Sequence, residues 1–209
     1  WLALDPDLII HYNIVNNMPG ILDNAIRKSG MRDGWRGRVR ELAAKSKLLT
    51  CLFPNWFRPP EAYVAEEIKV LANVCFAKMA EQAQAKGAAL AVASFAVPDV
   101  NSISSCERIY FDYSFHTFPL ARATTADYNW AMGLYNQTVR EYCQESGVLY
   151  IPVAENFSGG VDTFTDICHM RLRGIELKAR IMADHLEAFV RGRLERYREE
   201  SSMQVVSPM

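Results

Sequence analysis

Several features that would place this chain in a well-defined class are absent from its 209 residues. Basic residues are not in excess, since 23 Lys and Arg stand against 24 Asp and Glu, which gives a net charge of -1. This balance argues against a protein that holds nucleic acid on a basic face. The apolar runs are only a few residues long, so we expect no membrane span. Walker loops, GxGxxG and HExxH are all missing, so we expect no metal or other cofactor.

Cysteine is sparse and irregularly spaced. The five cysteines form no CxxC pair, which argues against a zinc knuckle or a redox pair. Several of them fall on apolar helix stripes, where we expect buried free thiols. Half of the residues are hydrophobic, which excludes a disordered chain. Nothing in the sequence indicates an oligomeric state or a cellular compartment.

Three apolar runs predict the strands of a sheet. They cover residues 8–13, 88–95 and 148–153, and continuous runs of this kind are typical of buried parallel strands. Long helical patterns occur over 61–86 and from the capping-box pattern Thr124-x-x-Asp127 to Gly147. A last helix carries an apolar stripe made of Leu172, Ile175, Ala179, Met182, Leu186, Phe189 and Leu194. Strands that alternate with long helices predict an α/β fold with right-handed crossovers.

We predict one domain over residues 1–198 and a flexible tail over 199–209. Two long connections, 18–60 and 98–124, are expected to be irregular insertions, with a helix only over about 38–52. Connections of this length in a compact domain are usually functional, so we expect both to flank the ligand site. Their aromatic residues form either an acyl pocket or sugar-stacking platform, or a packing surface for the insertions: Trp35, Trp56, Phe57, Tyr110, Tyr113 and Phe115.

The predicted site lies at the carboxyl ends of the strands, where open α/β sheets bind ligands. Asn16 and Asn17 follow the first strand, and Asp166 and His169 follow the third. Asp-x-x-His before a helix suits a hydrolytic triad. The His takes a proton from a nucleophile, while the Asp holds the ring in one tautomer and stabilises the imidazolium.

These segments resemble the SGNH (GDSL-type) hydrolases. The strand from Pro6 to Ile10 followed by Asn16 is similar to the block that supplies an oxyanion-hole Asn. Asp166 and His169, with Gly174 beyond them, resemble the block that supplies the triad's Asp and His. The resemblance implies a three-layer α/β/α fold with a flavodoxin-like parallel sheet. It also implies serine-type hydrolysis of ester bonds in a small molecule or in an acylated carbohydrate, or acyl transfer to a sugar hydroxyl, through a serine acyl-enzyme.

The chain departs from that family at four points. No Gly-Asp-Ser block with the nucleophile is found, and the block whose Gly supplies a backbone oxyanion donor is also missing, so we expect the Ser, with the first strand and helix, to lie outside these residues. Strand 8–13 would then be central, paired on its other side with that absent strand. Ile14 stands where the family has Gly, and Asn17 where it has Asp. The alternative is a non-catalytic SGNH-like domain that binds a glycan or a protein.

Other interpretations of the same residues stay open at this point. Asn16 caps a turn in one of them, and His169 is a structural histidine in another. Asp166 is then the N-terminal cap of the last helix. Cys168 beside His169 is a weak nucleophile candidate, because adjacent side chains seldom point at one another. Ser94, at the end of the second strand, is an equally weak candidate.

Overall fold

A computed structural model describes residues 6–114 and 125–205 of the chain. Within them, the α/β prediction is confirmed. Three strands, β1 (Leu8–His11), β2 (Ala89–Ala93) and β3 (Leu149–Ile151), form a parallel sheet in the order β1-β2-β3. Leu8 pairs with Ala89, and Ala91 pairs with Leu149. Residues on both faces of β2 are buried, so material covers both sides of the sheet, which is compatible with an α/β/α arrangement.

β1 lies at an edge of this sheet. Its one partner among the described residues is β2, and Ile10 remains 43% exposed. The sequence predicts a central position for this strand, with a neighbour from residues outside this chain. Within the described residues, the second edge of β1 is unpaired. An unpaired edge leaves backbone donors and acceptors free to bind another strand.

The connection over 18–60 is helical, so the prediction of an irregular insertion is wrong. It contains α1 (Met18–Lys28), α2 (Gly34–Ala43), α3 (Lys47–Leu52) and α4 (Pro54–Phe57). Pro19 lies in the first turn of α1, where its missing N–H costs nothing. α1 buries Met18, Ile21 and Ala25. It packs against the helix Glu61–Leu71, which follows the insertion. Proline therefore separates short helices here without abolishing them.

The predicted helix over 61–86 is present but interrupted. It consists of α5 (Glu61–Leu71), a π-helical segment (Ala72–Phe76) and α6 (Ala77–Gln84). The wider π turn shifts the side chains that follow, so Phe76 is buried and Cys75 is exposed. Our expectation that Cys75 is buried is therefore wrong. Cys106 is also exposed, and Cys143 is the buried thiol among the described cysteines.

The second connection carries a helix and leads into a long crossover helix. α7 (Ser105–Ser114) lies within 98–124, and α8 (Thr125–Ser146) follows. The predicted capping residue Thr124 and the aromatic Phe115 lie outside the described residues. Asp112 of α7 accepts hydrogen bonds from the N–H and hydroxyl of Thr125, at 2.7 and 2.6 Å. A residue distant in sequence therefore satisfies the first turn of α8.

The chain ends in a short helix, α9 (Val153–Asn156), and a long one, α10 (Leu172–Val205). α10 includes residues 199–205, for which the sequence predicts a flexible tail. Its predicted apolar stripe is only partly right, because Leu172, Ile175 and Leu194 are 71, 47 and 52% exposed. In the described chain, no helix combines the length and hydropathy needed to cross a membrane.

Candidate active site

The loop 163–171, which we call the site loop, holds Asp166 and His169 in front of α10. An isolated antiparallel bridge between Phe164 and Met170 closes it. The N–H of Thr165 donates to the carbonyl of His169 at 2.8 Å, and the N–H of Arg171 donates to that of Thr163 at 2.8 Å. Phe164 and Ile167 are buried and anchor the loop in the core. The loop therefore projects its polar residues from a fixed base.

Asp166 and His169 are hydrogen-bonded, as their spacing predicts. The Nδ1 atom of His169 lies 2.6 Å from Oδ2 of Asp166. The other carboxylate oxygen accepts the N–H groups of Cys168 and His169 at 2.9 and 2.8 Å. The carboxylate is therefore held from both sides, while 68% of the His169 side chain is exposed. This leaves the far edge of the imidazole accessible from outside.

The hydrogen bonds also determine the charge state of Asp166. Its partial burial by itself raises the pKa. The two backbone N–H groups and the His169 ring outweigh that effect and hold the pKa of Asp166 below its ordinary value. An ionised carboxylate bonded to Nδ1 favours the tautomer with its proton on Nδ1, which leaves Nε2 free to accept one. The Asp166 carboxylate caps its own turn, so the interpretation that it caps the last helix is wrong.

Cys168 does point at its neighbour, contrary to our geometric expectation. Its Sγ lies 3.5 Å from Nδ1 of His169. Burial, with the nearby Asp166 carboxylate, raises the pKa of the thiol to about 12. A thiol with this pKa stays protonated near neutral pH, which disfavours a nucleophilic thiolate. Donor atoms of Asp166, Cys168 and His169 lie within 4.8 Å of one another. A metal on Nδ1 would have to replace the hydrogen bond to Asp166.

Ser94 occupies a structural position. Its side chain is fully buried, its hydroxyl lies 2.6 Å from Oε2 of Glu155, and it accepts the N–H of Ala154 at 2.9 Å. Tyr150 and Arg140 also bind the Glu155 carboxylate. Burial by itself raises the pKa of Glu155, but these hydrogen bonds outweigh it and lower that pKa below its usual value. The Ser94 hydroxyl therefore ties β2 to α9.

Asn16 lies in the turn between β1 and α1, just beyond the carboxyl end of β1. The turn is closed by backbone N–H groups of Asn17 and Met18, which both donate to the carbonyl of Ile14, at 2.9 and 3.0 Å. Asn16 is exposed, and its amide makes no hydrogen bond to the described residues. The side chain therefore does not cap the turn. Ile14, at the position where the resembled family has Gly, is 1% exposed and belongs to the core.

Two residues that we did not predict connect this rim to the rest of the fold. The Tyr12 ring, just after β1, stacks on Phe95 with centroids 4.8 Å apart, and its hydroxyl accepts the N–H of Ala96 at 3.3 Å. Lys178 of α10 places its Nζ 4.5 Å from the Tyr12 ring centroid. The pKa of Tyr12 is raised to about 12, chiefly by burial, with a smaller contribution from Cys168. Tyr12 therefore links the end of β1 to the segment after β2 and to α10.

Tyr110, an aromatic residue of the second insertion, contacts the site loop. Its hydroxyl donates to the carbonyl of Thr165 at 2.6 Å. Trp56 instead contacts Phe57 and Arg40 of its own insertion, and Trp35 contacts Arg36. A shallow groove of about 550 Å³ lies between α8 and α9, and none of its lining residues belongs to the site loop. Among the described residues, the second insertion thus contacts the site loop through Tyr110.

Comparison with protein-family models and with curated proteins adds no further assignment, because the chain matches none of them.

Proposed function

We propose that this chain carries the acid–base part of a serine-type esterase or acyl hydrolase. The observation behind the proposal is the bond between Nδ1 of His169 and Oδ2 of Asp166, with the opposite carboxylate oxygen held by two backbone N–H groups. This arrangement orients an exposed imidazole at the carboxyl edge of a parallel sheet. The substrate would be an ester of a small molecule or an acylated carbohydrate, as the resemblance to the SGNH hydrolases implies.

In this mechanism, His169 first accepts the proton of a serine hydroxyl through Nε2. The serine oxygen attacks the ester carbonyl, and His169 then gives the proton to the departing alcohol. Water repeats the two steps to release the acid. Asp166 keeps the Nδ1 proton in place and stabilises the imidazolium without taking that proton.

Asn16 would donate its amide to the oxyanion of the tetrahedral intermediate. Its side chain has no competing hydrogen bond in the described chain, and it lies just beyond the carboxyl end of β1. Loss of one such donor typically lowers the rate by about 10²–10³-fold.

The nucleophile in this proposal is a serine from outside these 209 residues. Ser94 is buried and bonded to Glu155, and the Cys168 thiol has a raised pKa. The unpaired edge of β1 offers a place where a further strand would bring such a serine to the same rim. The proposal depends on this outside residue, so its test must identify the reacting serine.

The test uses the whole protein that contains this chain and a fluorophosphonate, which reacts with activated serines. We expect one labelled serine, outside residues 1–209, and labelling that is lost in His169→Ala. Asp166→Asn should lower the rate of ester hydrolysis by about 10⁴-fold, since the wrong tautomer is then favoured. The matched control is His185→Ala, because the His185 ring bonds to the carbonyl of Ile181 within α10. Labelling of a serine within the chain, or labelling that survives His169→Ala, would refute the mechanism.

A non-catalytic domain that binds a glycan or a protein is the second candidate. It is favoured by Ile14, whose buried side chain fills the place of the family's Gly and changes the backbone setting of Asn16. Under this alternative, no serine is labelled, yet the protein retains a partner whose binding depends on residues of the site loop.

A further inference from the structure

The helices between residues 34 and 57 expose an unusual amount of apolar surface. Among the described residues, eighteen large hydrophobic side chains are exposed, and seven of these lie between residues 35 and 56. We call this set the α2–α4 face; its members are Trp35, Val39, Leu42, Leu48, Leu52, Phe53 and Trp56. Their exposed fractions range from 41 to 70%. α3 packs against α4, and Arg40 of α2 reaches the Trp56 ring of α4, so the helices that carry these residues are neighbours. Grouped apolar exposure of this kind is typical of an interaction surface, whereas single exposed apolar residues need no explanation.

The apolar residues of α2 form one stripe that points away from the body of the protein. Trp35, Val39 and Leu42 are four and three residues apart, so they share one side of the helix. Gly37 is the buried residue of α2, and it lies against the backbone of Arg32. A Cβ at Gly37 would come within 2.2 Å of that backbone. Gly37 therefore lies on the inner side of α2, and the apolar stripe faces outward.

Arginines border this stripe. At 3.6 residues per turn, Arg36 and Arg38 fall on its two sides. The guanidinium of Arg36 lies 5.6 Å from the Trp35 ring centroid, and that of Arg40 lies 5.9 Å from the Trp56 ring centroid. Within the part of the chain that the structure describes, these three arginines form no ion pair with a carboxylate, and Arg40 donates a hydrogen bond to the carbonyl of Met31 at 2.8 Å. A chain of net charge -1 thus concentrates unpaired positive charge beside its exposed apolar residues.

We propose that the α2–α4 face binds the surface of an anionic phospholipid membrane. A helix with Trp and Leu on one side and flanking arginines is suited to lie in the membrane interface, with its apolar side chains among the acyl chains. The arginines would then reach the phosphate and carboxylate groups of the lipids. Nucleic acid would satisfy the arginines but not the leucines and Phe53. This inference does not depend on the proposed esterase activity.

The test measures binding of the whole protein to phosphatidylcholine vesicles with and without phosphatidylserine. We expect binding only when phosphatidylserine is present, and weaker binding as salt rises. The double variant R36Q/R38Q should weaken it by about fivefold per arginine removed. W35S/L42S should also weaken it, because the apolar contribution is lost. The matched control I109S/V74S removes two equally exposed apolar side chains elsewhere and should bind like the unmodified protein.

Vesicles whose acyl chains carry bromine report the position of tryptophan, because bromine quenches its fluorescence. We expect quenching that is largely lost in Trp35→Phe/Trp56→Phe. Circular dichroism of every variant confirms that the helices are retained. The proposal is overturned if phosphatidylserine vesicles do not bind, or if both double variants bind as tightly as the control. It is also overturned if the two tryptophans are covered by a protein partner or by another part of the same protein.

Discussion

At the scale of single residues, the conformation of the site loop depends on one carboxylate that accepts three hydrogen bonds. Asp166 is held by two backbone N–H groups and by Nδ1 of His169. The same residue therefore maintains the loop conformation and orients the proposed base. Substitutions at Asp166 should lower both the free energy of unfolding and the rate of ester hydrolysis. The effect on the free energy of unfolding is recognised by its pH dependence.

The stabilisation contributed by Asp166 should disappear in acid. Because its folded-state pKa is lowered, the contribution is complete above the unfolded-state pKa of about 3.9 and is lost as the pH falls through the folded-state value. We expect the difference in free energy of unfolding between the unmodified protein and Asp166→Asn to shrink as the pH falls below about 4. Urea denaturation at several pH values measures it. Asp184→Asn, an exposed position on α10, should show no such difference; a gap that persists undiminished in acid would contradict the assignment.

Ser94 should matter for stability and not for chemistry. Replacing Ser94 by Ala leaves the partly buried N–H of Ala154 without its acceptor and removes one hydrogen bond from the Glu155 carboxylate. We expect a loss of about 1–3 kcal/mol in the free energy of unfolding, which chemical denaturation reports. Fluorophosphonate labelling of the whole protein should be unchanged. Abolished labelling in a variant that still folds would instead make Ser94 the nucleophile.

At the scale of elements, α10 and the site loop depend on a close approach at Gly174. A Cβ at this position would lie 2.4 Å from the carbonyl oxygen of Thr163 and 3.2 Å from Cβ of Met170. The loop therefore packs on α10 without room for a side chain. This contact sets which side of α10 faces inward, and it places Lys178, one turn later, above Tyr12.

The pair Gly174→Ala and Gly192→Ala tests this contact. We expect Gly174→Ala to destabilise the protein by about 1–3 kcal/mol, because backbone must move to admit the methyl group. Gly192 lies on the same helix, and a Cβ there would meet no atom within 4 Å, so Gly192→Ala should stabilise by about 0.5–1 kcal/mol. Thermal unfolding of both variants gives the comparison. Equal effects of the two substitutions would contradict the close packing of the site loop.

At the scale of the whole molecule, the core is distributed unevenly. β2 is paired on both sides, and α8 contributes eight buried residues. By contrast, Gly37 is the buried residue in α2, and β1 has one paired edge among the described residues. Local opening should therefore cost less in α2 than in the centre of the sheet.

Amide hydrogen exchange tests that distribution. We expect the slowest exchange in β2 and in the buried turns of α8, where opening requires global unfolding. The amides of α2 should exchange much faster, because little buried surface holds this helix in place. Mass spectrometry of peptic fragments resolves the two regions. Protection of α2 equal to that of α8 would indicate that the α2–α4 face is already covered.

The elements that depend on neighbouring residues along the chain were predictable from the sequence. Continuous apolar runs and helical stripes were sufficient for the α/β class and for all three strands, because period and turn residues are local properties. The hydrogen bond between Asp166 and His169 was also predictable, since a three-residue spacing needs only one turn to bring the groups together. The catalytic roles of Asp166, His169 and Asn16 remain predictions.

Contacts between residues that are distant in sequence were not predictable and are seen only in the folded structure. The bond from Tyr110 to Thr165 spans 55 positions, and no periodicity indicates it. The π-helical turn that exposes Cys75 and buries Phe76 arises from packing, because both residues fit an apolar stripe. The inward side of α10 follows from Gly174, whose role depends on the carbonyl of Thr163. Short-range periodicity predicts where helices and strands form. The side that each helix or strand buries depends on the surface against which it packs.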